Sequence, residues 1–310
     1  MPMLPLDDPK SWVRRLRGLV SGIPIAVFLF GTLILFNVAQ TLSLMLRPFS
    51  SRAFRAVNRW AADTWWGWCV IGSEKLQNIK IVVTGDPVPE RENTIVVANH
   101  QQMTDVTFLM IWARQKKRLG DMKWMVKDIV KWVPGAGWGM AFLDCVFVKR
   151  NWAADKAAIE RTFAKLKKHR VPMWLLSFPE GTRLTPNKLS KSQADANRKG
   201  MPELAHLMVP RTKGFVAAVR GLADHAAAVY DVTIGYGHGV PTLWQYIRGH
   251  AQVAHLHVRR SLVSELPSED TALARWLLQR FEDKDRLLDY YYRTGAFPAA
   301  LEEAPVVAPR

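Results

Sequence analysis

Asn99-His100-Gln101-Gln102-Met103-Thr104-Asp105 sets a histidine and a carboxylate five positions apart, directly after the apolar run Thr94–Ala98. Such a pair can move a proton. The carboxylate holds one imidazole nitrogen, and the other is left as a general base near neutral pH. Five residues of helix turn through about 500° at ~100° per residue, so the two side chains would diverge by roughly 140°. A direct bond therefore needs His100 in a loop and Asp105 in the first turn of a following helix. Thr104 is the expected N-cap of a helix over Asp105–Gln115, and Asp105 suits that helix N-terminus. No Gly-x-Ser-x-Gly elbow occurs in the chain. The base thus lacks a serine nucleophile of that kind, which points to activation of the substrate's own hydroxyl. Alone, a His-x4-Asp pair is common by chance and fits equally a histidine ending a strand and an aspartate capping a helix.

A second stretch, Phe178-Pro179-Glu180-Gly181-Thr182-Arg183, follows the apolar run Met173–Ser177. Both stretches put polar groups where a strand would end, the edge at which α/β proteins bind ligands. Between them lies Val146-Phe147-Val148-Lys149-Arg150, and after them Leu207-Met208-Val209-Pro210. In this order the four segments resemble the motifs of the glycerolipid acyltransferase family. Asn99, His100 and Asp105 match Asn-His-x4-Asp, and Phe147 and Arg150 match Phe-x-x-Arg. Phe178 to Arg183 match Phe-Pro-Glu-Gly-Thr-Arg in full, and Pro210 closes the fourth, apolar motif. The resemblance covers roughly residues 75 to 235. Val209–Phe215, Tyr230–Thr233 and the Gln101-Gln102 pair look like the branch holding lysophosphatidic and lysocardiolipin acyltransferases. A second downstream proline of the fourth motif is missing.

The resemblance implies that His100 takes a proton from an acceptor hydroxyl and that Asp105 orients His100. The hydroxyl then attacks an acyl thioester, without an acyl-enzyme. Acyl-coenzyme A or acyl carrier protein is the implied co-substrate, and no further cofactor and no metal are expected. The substrate-binding set implied is Asn99, Phe147, Lys149, Arg150, Phe178, Pro179, Glu180, Gly181, Thr182, Arg183, Pro210, Arg211 and Lys213. Arg150 and Arg183 suit an acceptor phosphate, because a guanidinium stays charged and presents paired donors. Gly181 would let backbone approach the ligand. Glu180 is repulsive to a phosphate, so it reads as an acceptor for a glycerol hydroxyl or an organiser of Arg150. The implied acceptor is a lysophospholipid, with 1-acylglycerol-3-phosphate, giving phosphatidic acid, placed first. Lysophosphatidylglycerol, lysophosphatidylinositol and lysocardiolipin remain open, as does a non-catalytic basic protein of membrane surfaces.

With 310 residues, 49% of them apolar, the chain can bury one substantial core. Lys and Arg number 43 against 27 Asp and Glu, a net of +16. The excess is uneven: Arg114–Arg170 holds 15 basic and 5 acidic residues, whereas Ser261–Arg310 holds 6 and 9. No nucleic-acid signature accompanies the basic region. Anionic membrane and acidic ligands explain it better, with Trp60, Trp65, Trp66 and Trp68 as interfacial residues. Cys69 and Cys145 are expected as reduced thiols of a cytosol-facing domain. His255 and His257 alternate on one strand face and read as packing rather than a metal site. Oligomeric state is not legible.

The elements that must position these groups follow from pattern. Ile23–Leu46 carries no charge over 24 positions, enough for a ~20-residue membrane span. Arginines flank it on both sides, so it reads either as a spanning helix or as half of an interfacial hairpin with the Trp-rich Phe54–Ile71. Strands are expected at Ile79–Thr84, Thr94–Ala98, Trp124–Val126, Val146–Val148, Met173–Ser177, Ala228–Ile234 and Gln252–Val258. Helices are expected at Asp105–Gln115, Ala153–His169, Gly214–Leu222 and Thr271–Tyr291. The fold class is α/β, a central mixed sheet flanked by helices, with an N-terminal membrane-anchoring helix or two-helix hairpin. The expected division is a membrane-associated segment 1–72, an acyltransferase domain 73–295 and a flexible tail 296–310. Arg183–Pro202 reads as a basic excursion over the site, and the acidic C-terminal helix as packing on the sheet edge. The expected location is a membrane, with the active site facing the cytoplasm.

Overall fold

A computed structural model describes residues 5–149 and 151–298. Arg150 and the tail from 299 onward lie outside the described residues. In chain order the elements are α1 (Trp12–Leu42), α2 (Ser51–Leu76), β1 (Lys80–Gly85), β2 (Thr94–Ala98) and α3 (Thr104–Gln115). Then come β3 (Met122–Lys127), α4 (Ala136–Phe142), β4 (Val146–Val148), α5 (Trp152–Lys168), β5 (Trp174–Ser177) and α6 (Pro186–Arg198). The chain continues with α7 (Thr212–Leu222), β6 (Ala228–Gly235), α8 (Leu243–Ile247), β7 (Val253–Leu262) and α9 (Asp270–Thr294).

The seven strands form one sheet in the order β1-β7-β6-β2-β5-β3-β4. All neighbours run parallel except β6 and β7. The sheet is mixed and covered on both faces, as the alternation of strand and helix signals implies. On β2 the side chains alternate between two cores. Val96 and Ala98 pack with Phe108 and Trp112 of α3, while Ile95 and Val97 pack with Phe163, Phe215 and Leu277. Burial on both faces is why Thr94–Ala98 is apolar throughout rather than alternating. Trp112, Trp174 and Tyr230 lock β5 and β6 to α3, with ring centroids 4.8, 5.8 and 5.6 Å apart. Each such pair contributes about 0.5–1.5 kcal/mol beyond its buried area.

Two regions differ from their sequence reading. Arg183–Pro202 is not an open excursion but mostly the helix α6, with Pro186 in its first turn, where a missing N–H costs nothing. Its apolar stripe is thin, Leu189 and Ala196 being its buried residues, so hydrophobic period gave little signal. The C-terminal helix α9 does not sit on the sheet edge. Leu273, Leu277, Phe281 and Leu288 cover the sheet's face beside β2 and β6. At its centre Lys284 is fully buried, ion-paired with Asp231, and its Nζ donates to Val232 O at 2.7 Å. Removing one member of such a buried pair costs about 3–5 kcal/mol.

The apolar N-terminal segment is a single helix, α1, that runs through Pro24. Among the described residues it is the one helix long and apolar enough to cross a membrane. It turns back into α2, which continues to Leu76, past the expected boundary at 72. Pairing is antiparallel: Trp65 Nε1 donates to Leu29 O at 3.2 Å, and Phe28 and Phe36 lie against Trp68. One side of α1 touches the sheet domain at both ends. Cβ atoms at Gly18 and Gly22 would lie 2.8 Å from His250 Nε2 and 3.1 Å from Arg248 Cγ. Further along, Leu33 lies against Gly135, and the buried Asn37 and Gln40 bond each other at 3.1 Å. From Gly18 to Gln40 the helix rises about 33 Å, at 1.5 Å per residue. The opposite stripe, Leu16, Val20, Ile23, Val27 and Phe30, is more than half exposed at every position.

Candidate active site

His100 follows β2 at the carboxyl edge of the sheet, and Phe178 follows the neighbouring β5. Strand pairing brings the first and third motifs side by side. Phe178 stacks flat on the His100 ring, with centroids 4.1 Å apart and planes 15° apart. His100 Nδ1 lies 2.9 Å from Asp105 Oδ2. Asp105 is wholly buried and accepts three further bonds: from Gln101 N at 2.6 Å, Gln102 N at 2.9 Å and the Tyr236 hydroxyl at 2.5 Å. Its carboxylate thus organises the loop as well as the imidazole. With Asp105 accepting, Nδ1 carries a proton and Nε2 holds the lone pair. Nε2 has no bonding partner among the described residues, and the His100 side chain is 13% exposed.

Thr104 does not act as N-cap. Its hydroxyl donates to Pro241 O at 2.9 Å, and Asp105 instead satisfies the loop amides that precede the helix. Asn99 is buried and mimics a strand residue, exchanging bonds with Ile234 N and O on β6 at 2.7 and 3.1 Å. Gln101 donates to the same Ile234 carbonyl at 2.9 Å. These contacts fix where the loop leaves β2.

Glu180 bonds to no arginine side chain among the described residues. It is 4% exposed, and its two oxygens accept from His100 N at 2.7 Å and Met208 N at 3.1 Å. It therefore ties the third motif to the first and the fourth at once. Burial raises its pKa from 4.5 to about 8, against the pull of those two N–H groups. His100 O accepts from Leu184 N at 2.8 Å, so both backbone groups of His100 are held by the third-motif loop. Gly181 has φ +73°, a conformation that favours glycine, and the Arg211 side chain covers the place of its Cβ, with Nε 3.3 Å from it. The glycine thus serves a turn and a packed arginine rather than an open approach.

Arg183 is exposed beside the site and donates to Gln102 Oε1 at 2.7 Å, while Lys188 of α6 bonds the Thr182 hydroxyl at 2.8 Å. Pro179 is buried, and its carbonyl accepts from Arg211 N at 2.9 Å. Pro210 is buried, and Lys213 points from the exposed side of α7. Phe147 packs on the core, and Lys149 is exposed at the end of β4. Strand order places Lys149 three strands from β2, about 14 Å at ~4.8 Å per strand, on the same edge. Neither cysteine competes as a nucleophile, because burial pushes the Cys145 thiol up to about 11 and the Cys69 thiol up to about 12.

The family model described as acyltransferase matches residues 80–237, and one described as acyltransferase C-terminus matches 245–310. The chain belongs to the acyltransferase family. A probable 1-acyl-sn-glycerol-3-phosphate acyltransferase 5 of Arabidopsis thaliana is 32% identical over 298 residues, covering 95% of this chain and 78% of that protein. A 1-acyl-sn-glycerol-3-phosphate acyltransferase delta of Bos taurus is 34% identical over 291 residues, covering 92% and 75%. The solved structure of a 1-acyl-sn-glycerophosphate acyltransferase from Thermotoga maritima aligns with a TM-score of 0.48 at 17% identity, over 87% of this chain and 97% of that one.

Tyr236 escaped the sequence reading of this acyltransferase. Its position just past the strand Ala228–Gly235, neighbour to β2, was the available signal. Met208 escaped because its contribution is a backbone N–H, which no side-chain pattern records.

Glu180 gives a test of the local frame. A carboxyl whose pKa is raised on folding contributes stability that is complete below its unfolded value, near 4.5, and lost as pH climbs through about 8. The stability of the wild type, read as Tm, is therefore expected to fall between about pH 5 and 8, by at most about 1.4 kcal/mol per pH unit, and to level off above that. In Glu180→Gln that slope should flatten. Equal slopes from about pH 5 to 8 in both proteins would refute the assignment.

Proposed function

We propose that this acyltransferase moves a fatty acyl group from an acyl thioester to the free hydroxyl of a lysophospholipid, first of all 1-acylglycerol-3-phosphate, giving phosphatidic acid. The observation that carries the reading is the His100 imidazole, held at Nδ1 by a buried carboxylate, with Nε2 unbonded among the described residues. Relatives named for that acyl transfer, at 32–34% identity over most of the chain, support the acceptor.

In the proposed reaction Nε2 accepts the acceptor's hydroxyl proton as its oxygen bonds to the thioester carbonyl carbon. The tetrahedral intermediate then breaks its C–S bond, and the imidazolium returns the proton to the departing thiolate. Asp105 stabilises the imidazolium between the two steps. Positioning supplies much of the remaining rate. Arg183 and Arg211 are assigned to the acceptor phosphate, with Arg150, Lys149 and Lys213 as the further cations. The donor is acyl-coenzyme A or acyl carrier protein, both acidic, which suits the basic surface.

The helix α1 supports a membrane location, and its packing favours a helix lying in the interface over one crossing the bilayer. The sheet domain holds one side of α1 over about 33 Å, more than the ~30 Å hydrocarbon core, and brings Arg248 and His250 against it. A crossing helix would carry those groups into lipid. Laid flat, the exposed stripe from Leu16 to Phe30 enters the leaflet. Trp244 on α8 is 40% exposed, and the Thr104 hydroxyl donates to Pro241 O just before α8, which ties α8 to the segment that carries His100. The free thiols of Cys69 and Cys145, and the soluble donor proposed above, support a site at the cytoplasmic leaflet.

Two experiments test this. Purified protein in detergent is given acyl-coenzyme A and a panel of lysophospholipids, and thiol release is followed. Release with lysophosphatidate is expected. His100→Ala should lower kcat by about 10³-fold, and Arg183→Ala should raise the acceptor KM by about 10-fold or more with the donor KM little changed. Full turnover by His100→Ala, or release with none of the panel, contradicts the reading. In the second, Val20→Asp with Val27→Asp should shift the protein from liposome pellet to supernatant without lowering its Tm. Undiminished sedimentation would move the membrane contact away from this stripe.

A further inference from the structure

Away from the His100 site, a cavity of about 610 Å³ opens at the opposite edge of the sheet. It lies where β3 and β5 begin, under the first three turns of α2. Lys123, the second residue of β3, lines it and is only 4% exposed. Among the described residues Lys123 Nζ has neither a hydrogen bond nor a carboxylate partner. A buried ammonium without a partner is costly, and an anion within reach or loss of its proton relieves that cost.

The charge around it is unbalanced in one direction. The cavity wall offers two carboxylates, and each is already shared. Asp121 accepts from Arg59 at 2.5 Å and from Arg118 at 3.0 Å. Asp144 accepts from Arg55 at 3.1 Å and from Lys165. Arg52 and Arg170, also in the wall, have no carboxylate partner among the described residues. Lys123, Arg52 and Arg170 therefore line one cavity whose two carboxylates are both engaged by other cations. Burial pulls the Lys123 ammonium below its usual range, partly offset by Cys145, Asp144 and Asp121. An anion in the cavity would keep it charged.

The geometry points to a phosphate-binding site here, distinct from the catalytic loop and formed by Lys123 with Arg52 and Arg170. The chemistry selects a phosphate ester or free phosphate: a tetrahedral anion accepts several donors at once, and two guanidiniums can each bind two of its oxygens. The cavity mouth adjoins the turn between α1 and α2, where Met45 is 72% and Phe49 90% exposed. An anionic headgroup from a leaflet reached by that turn and a soluble phosphate share this chemistry.

The test uses the full chain in detergent and follows Tm. One arm compares inorganic phosphate with chloride at equal ionic strength. The other compares dihexanoyl phosphatidylglycerol with dihexanoyl phosphatidylcholine below their micellar concentrations. The wild type is expected to gain roughly 4 °C from a phosphate-bearing anion. Lys123→Met, which keeps the buried volume, should lose that gain. Arg52→Gln with Arg170→Gln, both outside the packed core, should lose it too, and serves alone if Lys123→Met fails to fold. Arg183→Gln should keep it, which separates this site from the motif arginines. A gain from phosphatidylglycerol alone identifies the headgroup as the source, and a gain from inorganic phosphate as well identifies a soluble anion. The proposal is overturned if neither probe raises Tm, if phosphatidylcholine matches phosphatidylglycerol, if the gain survives both sets of wall substitutions, or if Arg183→Gln abolishes it.

Discussion

One buried carboxylate holds the catalytic edge of this acyltransferase together. Glu180 takes the amides of His100 and Met208, and the backbone of Leu184 returns a bond to His100 O. Three loops spread over a little more than a hundred residues of chain are thereby tied together around the imidazole. The arrangement is costly, since burial drives Glu180 toward its protonated form. The cost is offset by what it fixes: the imidazole proposed here as the general base, a role that needs its ring held within a fraction of an ångström. Asp105 does the same on the other side of the ring, with four donors converging on a carboxylate with no solvent access.

That frame depends on the sheet beneath it. β2 and β5 are neighbours, so the loops leaving them meet; β6 on the other side supplies Ile234, which holds Asn99 and Gln101, and then Tyr236, which holds Asp105. Lys284 and Asp231 pin α9 under the same strands. Mixed topology, with β7 antiparallel, leaves the carboxyl ends of β2, β5 and β6 at one edge, where parallel strands gather ligand chemistry.

Much of this was legible in the sequence because its determinants are local. Thr94–Ala98 and Val146–Val148 were read to the residue, as continuous apolar runs bounded by polar turns, and the His100–Asp105 bond followed from a spacing that forbids both on one helix face. What escaped was carried by distant partners. Glu180 reads as a ligand-facing charge in sequence, and only its burial between two amides from other loops gives it another role. Thr104 looked like a cap, but a carboxylate one residue on took the loop amides first. The helix α6 was hidden because its apolar stripe has few members, and α9 was assigned to an edge because its acidic residues masked Leu273, Leu277, Phe281 and Leu288. Lys123 gave no signal at all: a lysine in a strand is ordinary until its surroundings are known.

The central claim is direct transfer, with His100 acting on the acceptor and no acyl-enzyme between donor and product. Intact-mass spectrometry of the protein after incubation with acyl-coenzyme A, in the absence of any acceptor, tests it most directly. The account predicts unmodified protein and no release of thiol in proportion to enzyme. An acyl adduct formed on the timescale of turnover, mapped to any side chain of the site, would contradict it.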